Sequence, residues 1–496
     1  MGEFARQLAA KPLFYQRAYL GSLLPNYVKS GNLEKYYQTL TDFNFLMAKI
    51  QHPEFGVQAL IDDFNLVDAS AALSHPQYNP EKVKEALNSI QAVLWMSADI
   101  WERDKTQLAG QLLGRLLYFE IPEIQAMLEV AKQWKAAPWL RPLTACLTPP
   151  HRGLLRTVTG HSELVKAVVV TDDGKRAISG SSDTTIKVWD LTTGKEHFTL
   201  KGHNDSVKAV AVTADDTRAI SGSSDNTLKV WDLTTRKEQF TLKGHSNSVK
   251  AVAVTADDTR AISGSLDNTL KVWDLTTGDE QFTLKGHSNS VYAVAVTADG
   301  TRALSCSSDK TLKVWNLTTG NELFTLNGHS DLVNIVAVTA DGKRAISGSD
   351  DNTLKVWDLT TGNELFTLNG HSDLVNIVAV TADGKRAISG SDDNTLKVWD
   401  LTTGTELFTL KHHNDSVNIV AVTADGKRAI SGSADNTLKV WDLSSGNVIA
   451  SFTGESPIAC CAIAPDGVTI VAGDESGRVY FLRLEGIAEY LEKGMA

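Results

Sequence analysis

The sequence has few cysteines and no long apolar segment. Its 496 residues include four cysteines, whose spacing matches neither a zinc site nor a disulfide framework, as is typical of proteins from a reducing compartment. No apolar run reaches the roughly 18 residues that a membrane span needs. Residues 1–16 carry charges where a signal peptide has its apolar stretch. We therefore expect a cytoplasmic protein that is neither exported nor inserted into a membrane.

A basic net charge and the motifs of common cofactor sites are also missing. The net charge of −11 disfavours non-specific binding to nucleic acid or anionic lipid. No Gly-x-x-x-x-Gly-Lys-Ser/Thr segment is present to cradle a phosphate. His412-His413 is a candidate metal pair, but His413 also occupies a repeated structural position. We expect no cofactor, no metal site, and no nucleic-acid or membrane partner.

The first part of the chain, residues 1–135, shows helical periodicity and no strand alternation. Leu108, Leu112 and Leu116, for example, share one helix face. Four prolines then interrupt residues 136–152. Proline neither continues a helix nor fits inside a central strand, so this stretch is predicted to be a linker between two domains.

The most informative pattern is a repeat with a period of 42 residues. A Gly-His pair recurs at this spacing from Gly160-His161 to Gly370-His371. A Trp-Asp pair recurs in phase from Trp189 to Trp441, with Asn316 as the one substitute for Asp. This opener and closer resemble the WD40 repeat, in which each unit is one four-stranded blade of a β-propeller. The resemblance implies a protein that binds other proteins and catalyses nothing.

The number of blades follows from the two ends of the repeat region. Seven units carry the Trp, and residues 456–484 form an eighth, shorter unit with only three strands. Residues 154–158 match the fourth strand of the other units but have no first three strands before them. We predict an eight-bladed all-β propeller over residues 153–485, closed by a strand at 154–158, because a closed ring leaves only short, protected edges. The predicted fold class is multidomain: this propeller preceded by an all-α helical domain, with a C-terminal tail at 486–496.

Each of the seven units holds one His, one Ser, one Asp and one Trp at fixed positions. A His-Ser-Asp set suggests a hydrolase, but an active triad has one exposed nucleophile beside an oxyanion hole, and seven equivalent sets do not match one active site. We therefore name no catalytic residue. The WD40 resemblance implies instead a buried hydrogen-bond chain from Trp to Ser to His to Asp, which we call the tetrad. The tetrads are His161, Ser179, Asp183 and Trp189; His203, Ser221, Asp225 and Trp231; His245, Ser263, Asp267 and Trp273; His287, Ser305, Asp309 and Trp315; His329, Ser347, Asp351 and Trp357; His371, Ser389, Asp393 and Trp399; and His413, Ser431, Asp435 and Trp441. The eighth unit has no tetrad, so strand pairing and apolar packing are expected to hold it.

The units differ mainly at the start of the first strand and just before the turn Asp. The WD40 resemblance implies that both positions lie on the top face, near the central channel. Lysine occupies the strand position in three units, tyrosine in one and asparagine in three. The candidate ligand-binding residues are Lys166, Lys208, Lys250, Tyr292, Asn334, Asn376, Asn418, Asp350 and Asp392. Two interpretations stay open: a polarised docking face for a protein or peptide, or a solvated rim produced by block duplication.

The helical part has a resemblance of its own. LTDFNFLMAK, QLAGQLLGRLL, EIQAML and PWLRPLT look like the segment before the propeller in bacterial, especially cyanobacterial, NB-ARC/WD40 proteins, which are relatives of the apoptotic protease-activating factor and of STAND ATPases. The nucleotide-binding module that would precede these helices is missing. The resemblance implies the sensor half of such a switch, in which the propeller captures a protein ligand and the helices couple it to an effector. Three interpretations stay open: a fragment of a longer protein, a stand-alone form, or a subunit whose ATPase or effector is a separate chain. We expect a non-enzymatic recognition and scaffold protein. The alternatives are a purely structural assembly adaptor and an enzyme that uses the channel mouth.

Overall fold

The computed structural model describes residues 7–67, 80–150 and 160–487. The chain divides into two compact units. One comprises Met1–Val158 with Leu482–Ala496, and the other comprises Thr159–Phe481.

The first unit is mainly helical and has one continuous apolar core. Helix caps follow the local sequence: the Asn32 side chain accepts from the backbone N–H of Lys35, and the Asp42 side chain accepts from that of Asn44. One short helix, Leu108–Leu116, is buried along its whole length, so the predicted leucine stripe lies in the core. The helices are α1 (Leu13–Lys29), α2 (Leu33–Leu40), α3 (Phe43–Gln51), α4 (Val57–Phe64), α5 (Pro80–Met96), α6 (Ala98–Arg103), α7 (Leu108–Leu116) and α8 (Pro122–Lys132), with a 3-10 turn at Lys105–Gln107.

The described residues contain eight four-stranded antiparallel sheets, which are the blades. In the first seven the strands follow chain order, and the eighth is discussed below. The strands of the first seven blades are β2 (Val165–Val170), β3 (Arg176–Ser181), β4 (Thr185–Asp190) and β5 (Glu196–Lys201); β6 (Val207–Val212), β7 (Arg218–Ser223), β8 (Thr227–Asp232) and β9 (Lys237–Lys243); β10 (Val249–Val254), β11 (Arg260–Ser265), β12 (Thr269–Asp274) and β13 (Glu280–Lys285); β14 (Val291–Val296), β15 (Arg302–Ser307), β16 (Leu312–Asn316) and β17 (Glu322–Leu326); β18 (Val333–Val338), β19 (Arg344–Ser349), β20 (Leu354–Asp358) and β21 (Glu364–Leu368); β22 (Val375–Val380), β23 (Arg386–Ser391), β24 (Leu396–Asp400) and β25 (Thr405–Leu410); and β26 (Val417–Val422), β27 (Arg428–Ser433), β28 (Thr437–Asp442) and β29 (Val448–Thr453).

Neighbouring blades pack through their first strands and through apolar clusters between the sheets. Polar contacts also join them: the Arg260 guanidinium donates to the carbonyls of Leu317 (2.6 Å) and Gly300 (3.2 Å) in the next blade. The ring closes where β2 lies beside β30 of the eighth blade, and there Cys460 Sγ contacts the Val165 carbonyl at 3.4 Å. The eight-bladed propeller with a helical region before it is therefore confirmed.

The closing strand is not the one that we predicted. The eighth sheet has the order β1-β32-β31-β30, made of β30 (Ile458–Ile463), β31 (Thr469–Asp474), β32 (Val479–Glu485) and β1 (Trp139–Pro142). Residues 154–158 lie outside the described residues, and the fourth position of the sheet is held by β1. The predicted linker at 136–152 thus contains a strand of the propeller. Pro142 is compatible with β1, because an outermost strand pairs on one side only and tolerates a residue without an N–H.

Backbone and side-chain contacts hold β1 against the end of β32. Leu140 is buried and faces Leu484 in the antiparallel register, and Pro142 faces Leu482 at the strand end. Arg141 adds an ion pair to Glu485 at 2.9 Å.

We predict that Leu140→Ala destabilises the protein, whereas Leu140→Val costs less. Leu140 is buried, and its truncation to Ala removes apolar contacts and leaves a cavity, at a cost of about 2–5 kcal/mol. Urea denaturation of both variants measures the difference. If Leu140→Ala unfolds at the wild-type midpoint, β1 is not packed as the closing strand.

The turn between the second and third strands requires a left-handed residue. Asparagine fills this position in most blades, as at Asn226 with φ of 68°, but the first blade has Thr184 with φ of 70°. A β-branched residue is strained in this conformation, whereas asparagine tolerates it.

We predict that Thr184→Asn raises the free energy of unfolding by about 1 kcal/mol, because it relieves this strain. The reciprocal change, Asn226→Thr, should lower it by a similar amount. Chemical denaturation of the two variants provides the test, and equal stability of both with the wild type would show that the turn is not strained.

Candidate functional site

The tetrads form the predicted type of contact in all seven blades. In the fifth blade, the Trp357 indole donates to Ser347 Oγ at 2.9 Å, Ser347 Oγ lies 2.8 Å from His329 Nε2, and His329 Nδ1 lies 2.8 Å from Asp351 Oδ2. The Trp–Ser distances across the blades are 2.8–2.9 Å and the His–Ser distances 2.7–2.8 Å. The serine is fully buried and its oxygen is already occupied, so it is not an accessible nucleophile.

The tetrad geometry fits a neutral histidine. The Ser347 oxygen accepts from Trp357, so its hydroxyl is free to donate to His329 Nε2, while Nδ1–H donates to Asp351. Burial lowers the pKa of His329, and this outweighs the raising effect of the carboxylate. Burial alone would raise the pKa of Asp351, but hydrogen bonds from Thr353, from the Ser330 backbone and from His329 hold it below its ordinary value.

We predict that stability falls as the pH drops below about 6.5, the ordinary imidazole pKa. Burial lowers the pKa of His203, His245, His329 and His413. Below pH 6.5 the unfolded chain therefore binds protons that the folded chain does not, and the loss is at most about 1.4 kcal/mol per pH unit for each histidine. Above that pH both states are neutral and the contribution is constant.

Urea midpoints measured between pH 8 and pH 5 test this dependence. His197→Gln is the matched control, because His197 lies outside the tetrads, is about half exposed, and the next two blades carry Gln239 and Gln281 at this position. The control should keep the wild-type slope. Stability that increases from pH 7 to pH 5.5 would contradict a neutral buried histidine.

The eighth blade uses a different buried polar pair. Tyr480 Oη donates to Asp474 Oδ2 at 2.7 Å, and Asp474 Oδ1 accepts from the backbone N–H groups of Ser476 and Arg478, both at 2.9 Å. Asp474 is completely buried. Strand pairing and apolar packing, which we expected to hold this blade alone, are thus supplemented by a satisfied carboxylate.

The variable residues at the start of the first strands occupy one structural position. The register of every first strand shifts there, as between Val165 and Ala167, which leaves one bulged residue without a partner. A bulge re-aims a side chain, and here it does so at the same end of each first strand. The bulged residues are Lys166, Lys208, Lys250, Tyr292, Asn334, Asn376, Asn418 and Ala459. We call the face that carries them and the turns before the third strands the top face.

Ala459 was missed from the sequence because its unit has no Gly-His pair to set the alignment. The signal that could have found it is Gly473, which pairs with Cys460 as Gly180 pairs with Ala167.

The asparagines of the top face are bonded within the propeller. Asn334 Nδ2 donates to Asp350 Oδ1 at 2.6 Å and to the Val375 carbonyl of the next blade at 3.1 Å. Asn376 makes the equivalent contacts with Asp392 (2.6 Å) and Val417 (3.3 Å), and Asn418 donates to Ile458 at 3.0 Å. These side chains join successive blades, so their hydrogen-bonding capacity is largely used.

The lysines on the other side of the ring are different. Across the described ranges, none of the Lys166, Lys208 and Lys250 ammonium groups has a hydrogen bond or an ion pair. Burial, and then the charge of another lysine of the trio, lowers the pKa of each: Lys208 acts on Lys166, Lys250 on Lys208, and Lys166 on Lys250. The three charges therefore form one repulsive cluster on the first strands of consecutive blades.

An apolar surface adjoins the last lysine. Leu266 precedes the turn Asp of the third blade, where the first, second and fourth blades have serine, and it is half-buried. Tyr292 follows on the fourth blade with 37% of its surface exposed. The top face thus changes from cationic to apolar and then to Asn/Asp along the ring.

No metal site is evident within the ranges described, where no group of three or more His, Cys, Asp or Glu side chains could hold an ion. His413 belongs to its tetrad, and the His412 ring lies 6.0 Å from that of Trp441. No helix in the described part of the chain is both long and apolar enough to span a membrane.

The comparison with known families rests on the repeats. The WD domain, G-beta repeat family matches residues 152–190, 194–232, 236–274, 278–316, 320–358 and 362–400, and the TEP-1 C-terminal beta-propeller family matches 413–484. The propeller belongs to the WD40-repeat family. A crystal structure of the computationally designed Ika8 protein is similar, with a TM-score of 0.60 and 32% identity over 66% of this chain and 98% of that one.

Curated WD40 relatives match over shorter stretches. The Notchless protein homolog of Arabidopsis thaliana is 36% identical over 78 residues, which is 16% of this chain and 15% of that protein. The mouse NACHT domain- and WD repeat-containing protein 1 is 26% identical over 197 residues, or 38% of this chain and 12% of that protein. The rice small ribosomal subunit protein RACK1y is 48% identical over 48 residues, or 10% of this chain and 14% of that protein. The matches thus span no more than 15% of these relatives' own lengths.

Proposed function

We propose that this WD40 protein is a non-enzymatic recognition and scaffold protein that captures a protein ligand on its top face. The observation that carries the proposal is the bulge position. The tetrads repeat in the first seven blades, whereas the bulged side chains change from lysine to tyrosine to asparagine. A position re-aimed by a bulge and not used for packing is free to serve recognition.

The two arcs of the top face have different roles in this proposal. The Asn arc is engaged in joining blades, so the Lys166–Lys208–Lys250 cluster and Tyr292 are the groups left for a ligand. Lysines at a rim act mainly by steering an acidic partner, whereas a tyrosine offers both a ring and a hydroxyl and is a suitable anchor. The tetrads are buried and offer no accessible nucleophile, and this favours binding over catalysis.

For the helical unit we propose coupling to an effector or an ATPase on another chain. The support is the resemblance of its segments to those before the propeller in NB-ARC/WD40 proteins. The name of the mouse relative records a NACHT domain together with WD repeats, which is the kind of pairing that this role requires. A pull-down with and without the helical unit would identify effectors that depend on it.

We predict separate kinetic effects for the two parts of the site. Changing Lys166, Lys208 and Lys250 together to Glu should slow association with a captured acidic partner and reverse its salt dependence, because steering depends on charge. Tyr292→Ala should mainly speed dissociation. Surface-based binding measurements at two salt concentrations resolve both rates.

Lys343→Glu is the matched control, because Lys343 is exposed in a turn at the opposite end of its blade. It should leave both rates unchanged. Wild-type kinetics in the lysine and tyrosine variants would move the docking site elsewhere and favour the structural adaptor.

A further inference from the structure

We infer that the segment docking on the top face is an acidic peptide with an apolar side chain next to its acidic residues. The inference rests on the proposed function and specifies the chemistry of the ligand at that same site. It follows from the order of the side chains on the top face. The first three blades each carry a lysine, and the third and fourth blades then carry Leu266 and Tyr292.

The three lysines favour a ligand that has several consecutive negative charges. Lys166, Lys208 and Lys250 lie on β2, β6 and β10, which are the first strands of adjacent blades. Within the described residues none of the three ammonium groups forms an ion pair, although the negative charge of Glu475 acts on Lys166 and that of Asp205 on Lys208. Burial, and then their mutual repulsion, lowers the pKa values of the three lysines, and an extended run of carboxylates that meets all three offsets this repulsion.

The apolar part is set by a substitution specific to one blade. Leu266 replaces the serine found at Ser182, Ser224 and Ser308 in the first, second and fourth blades, and Tyr292 is the bulged residue of the next blade, with 37% of its surface exposed. The Leu266 side chain has no hydrogen-bonding group and is half-buried, so we assign it contact with an apolar group of the ligand. The contact lies directly after the third lysine in the order of the ring.

Carboxylates limit the site on both sides. Glu475 of the eighth blade is exposed and its charge acts on Lys166. Beyond Tyr292, the fifth and sixth blades carry Asp350 and Asp392. An acidic ligand is therefore repelled from both flanks and confined to the first four blades, which gives selectivity as well as attraction.

The experiment uses the full chain and four fluorescein-labelled synthetic peptides, read by fluorescence anisotropy at two salt concentrations. The first has a run of Glu and Asp followed by Leu. In the second, Ser replaces that Leu; in the third, Gln and Asn replace the acids; in the fourth, Lys replaces them. Inorganic polyphosphate serves as a competitor without an apolar group.

We expect the first peptide to bind, the amide and lysine peptides to lose about tenfold or more in affinity, and the Leu-to-Ser peptide to bind more weakly than the first. Leu266→Ser in the protein should abolish the preference for the Leu peptide over the Ser peptide while keeping the salt dependence. Lys343→Glu should change nothing. The Lys166→Glu, Lys208→Glu, Lys250→Glu triple variant should not bind the first peptide.

Two results would overturn the inference. One is equal affinity for the Leu and Ser peptides together with full competition by polyphosphate, which would show a general anion site. The other is failure of the acidic peptides to bind although a captured protein partner still dissociates faster from Tyr292→Ala. That second result would leave the proposed function standing, whereas unchanged kinetics of the captured partner in Tyr292→Ala and the lysine variant would contradict both.

Discussion

The buried hydrogen bond between histidine and aspartate is the interaction on which the top face depends. In the fifth blade, Asp351 binds His329 and at the same time accepts from the backbone N–H of Ser330 at 2.9 Å and of Thr353 at 3.0 Å. One carboxylate thus fixes the loop that enters the blade and the turn between its second and third strands. The bulge lies between these two fixed points. Its side chain varies among the first four blades while these two points stay fixed, whereas in the fifth to seventh blades the bulged asparagine also joins successive blades.

The eighth blade shows that a buried carboxylate can organise the turn without the tetrad motif. It lacks the tetrad, yet its turn is again organised by a buried carboxylate, Asp474, with Tyr480 as the side-chain donor. The outer edge of this blade is closed by β1 from the other end of the chain. Both features satisfy polar groups that would otherwise be left unpaired at the place where the ring closes.

Sequence periodicity predicted most of the fold because each blade is built from local pairs. The Gly-His and Trp-Asp spacing predicted the blade count and the tetrad residues, and helical periodicity placed Leu108 and Leu112 in a core. The prediction of the closing strand was wrong because β1 is short and pairs with residues more than 300 positions away in the sequence. A local sequence pattern does not indicate such a pairing. The bonds from Asn334 to Val375 were missed for a related reason: they join two blades, and their geometry depends on the bulge.

The proposed contact between the ligand and the bulged side chains of the first four blades can be measured by site-specific photo-crosslinking. A photoreactive residue is placed at Tyr292 or, as the comparison, at Lys343 on the opposite end of a blade. We expect a covalent adduct with the captured partner from position 292 and none from position 343. An adduct from position 343 without one from position 292 would show that the ligand docks elsewhere.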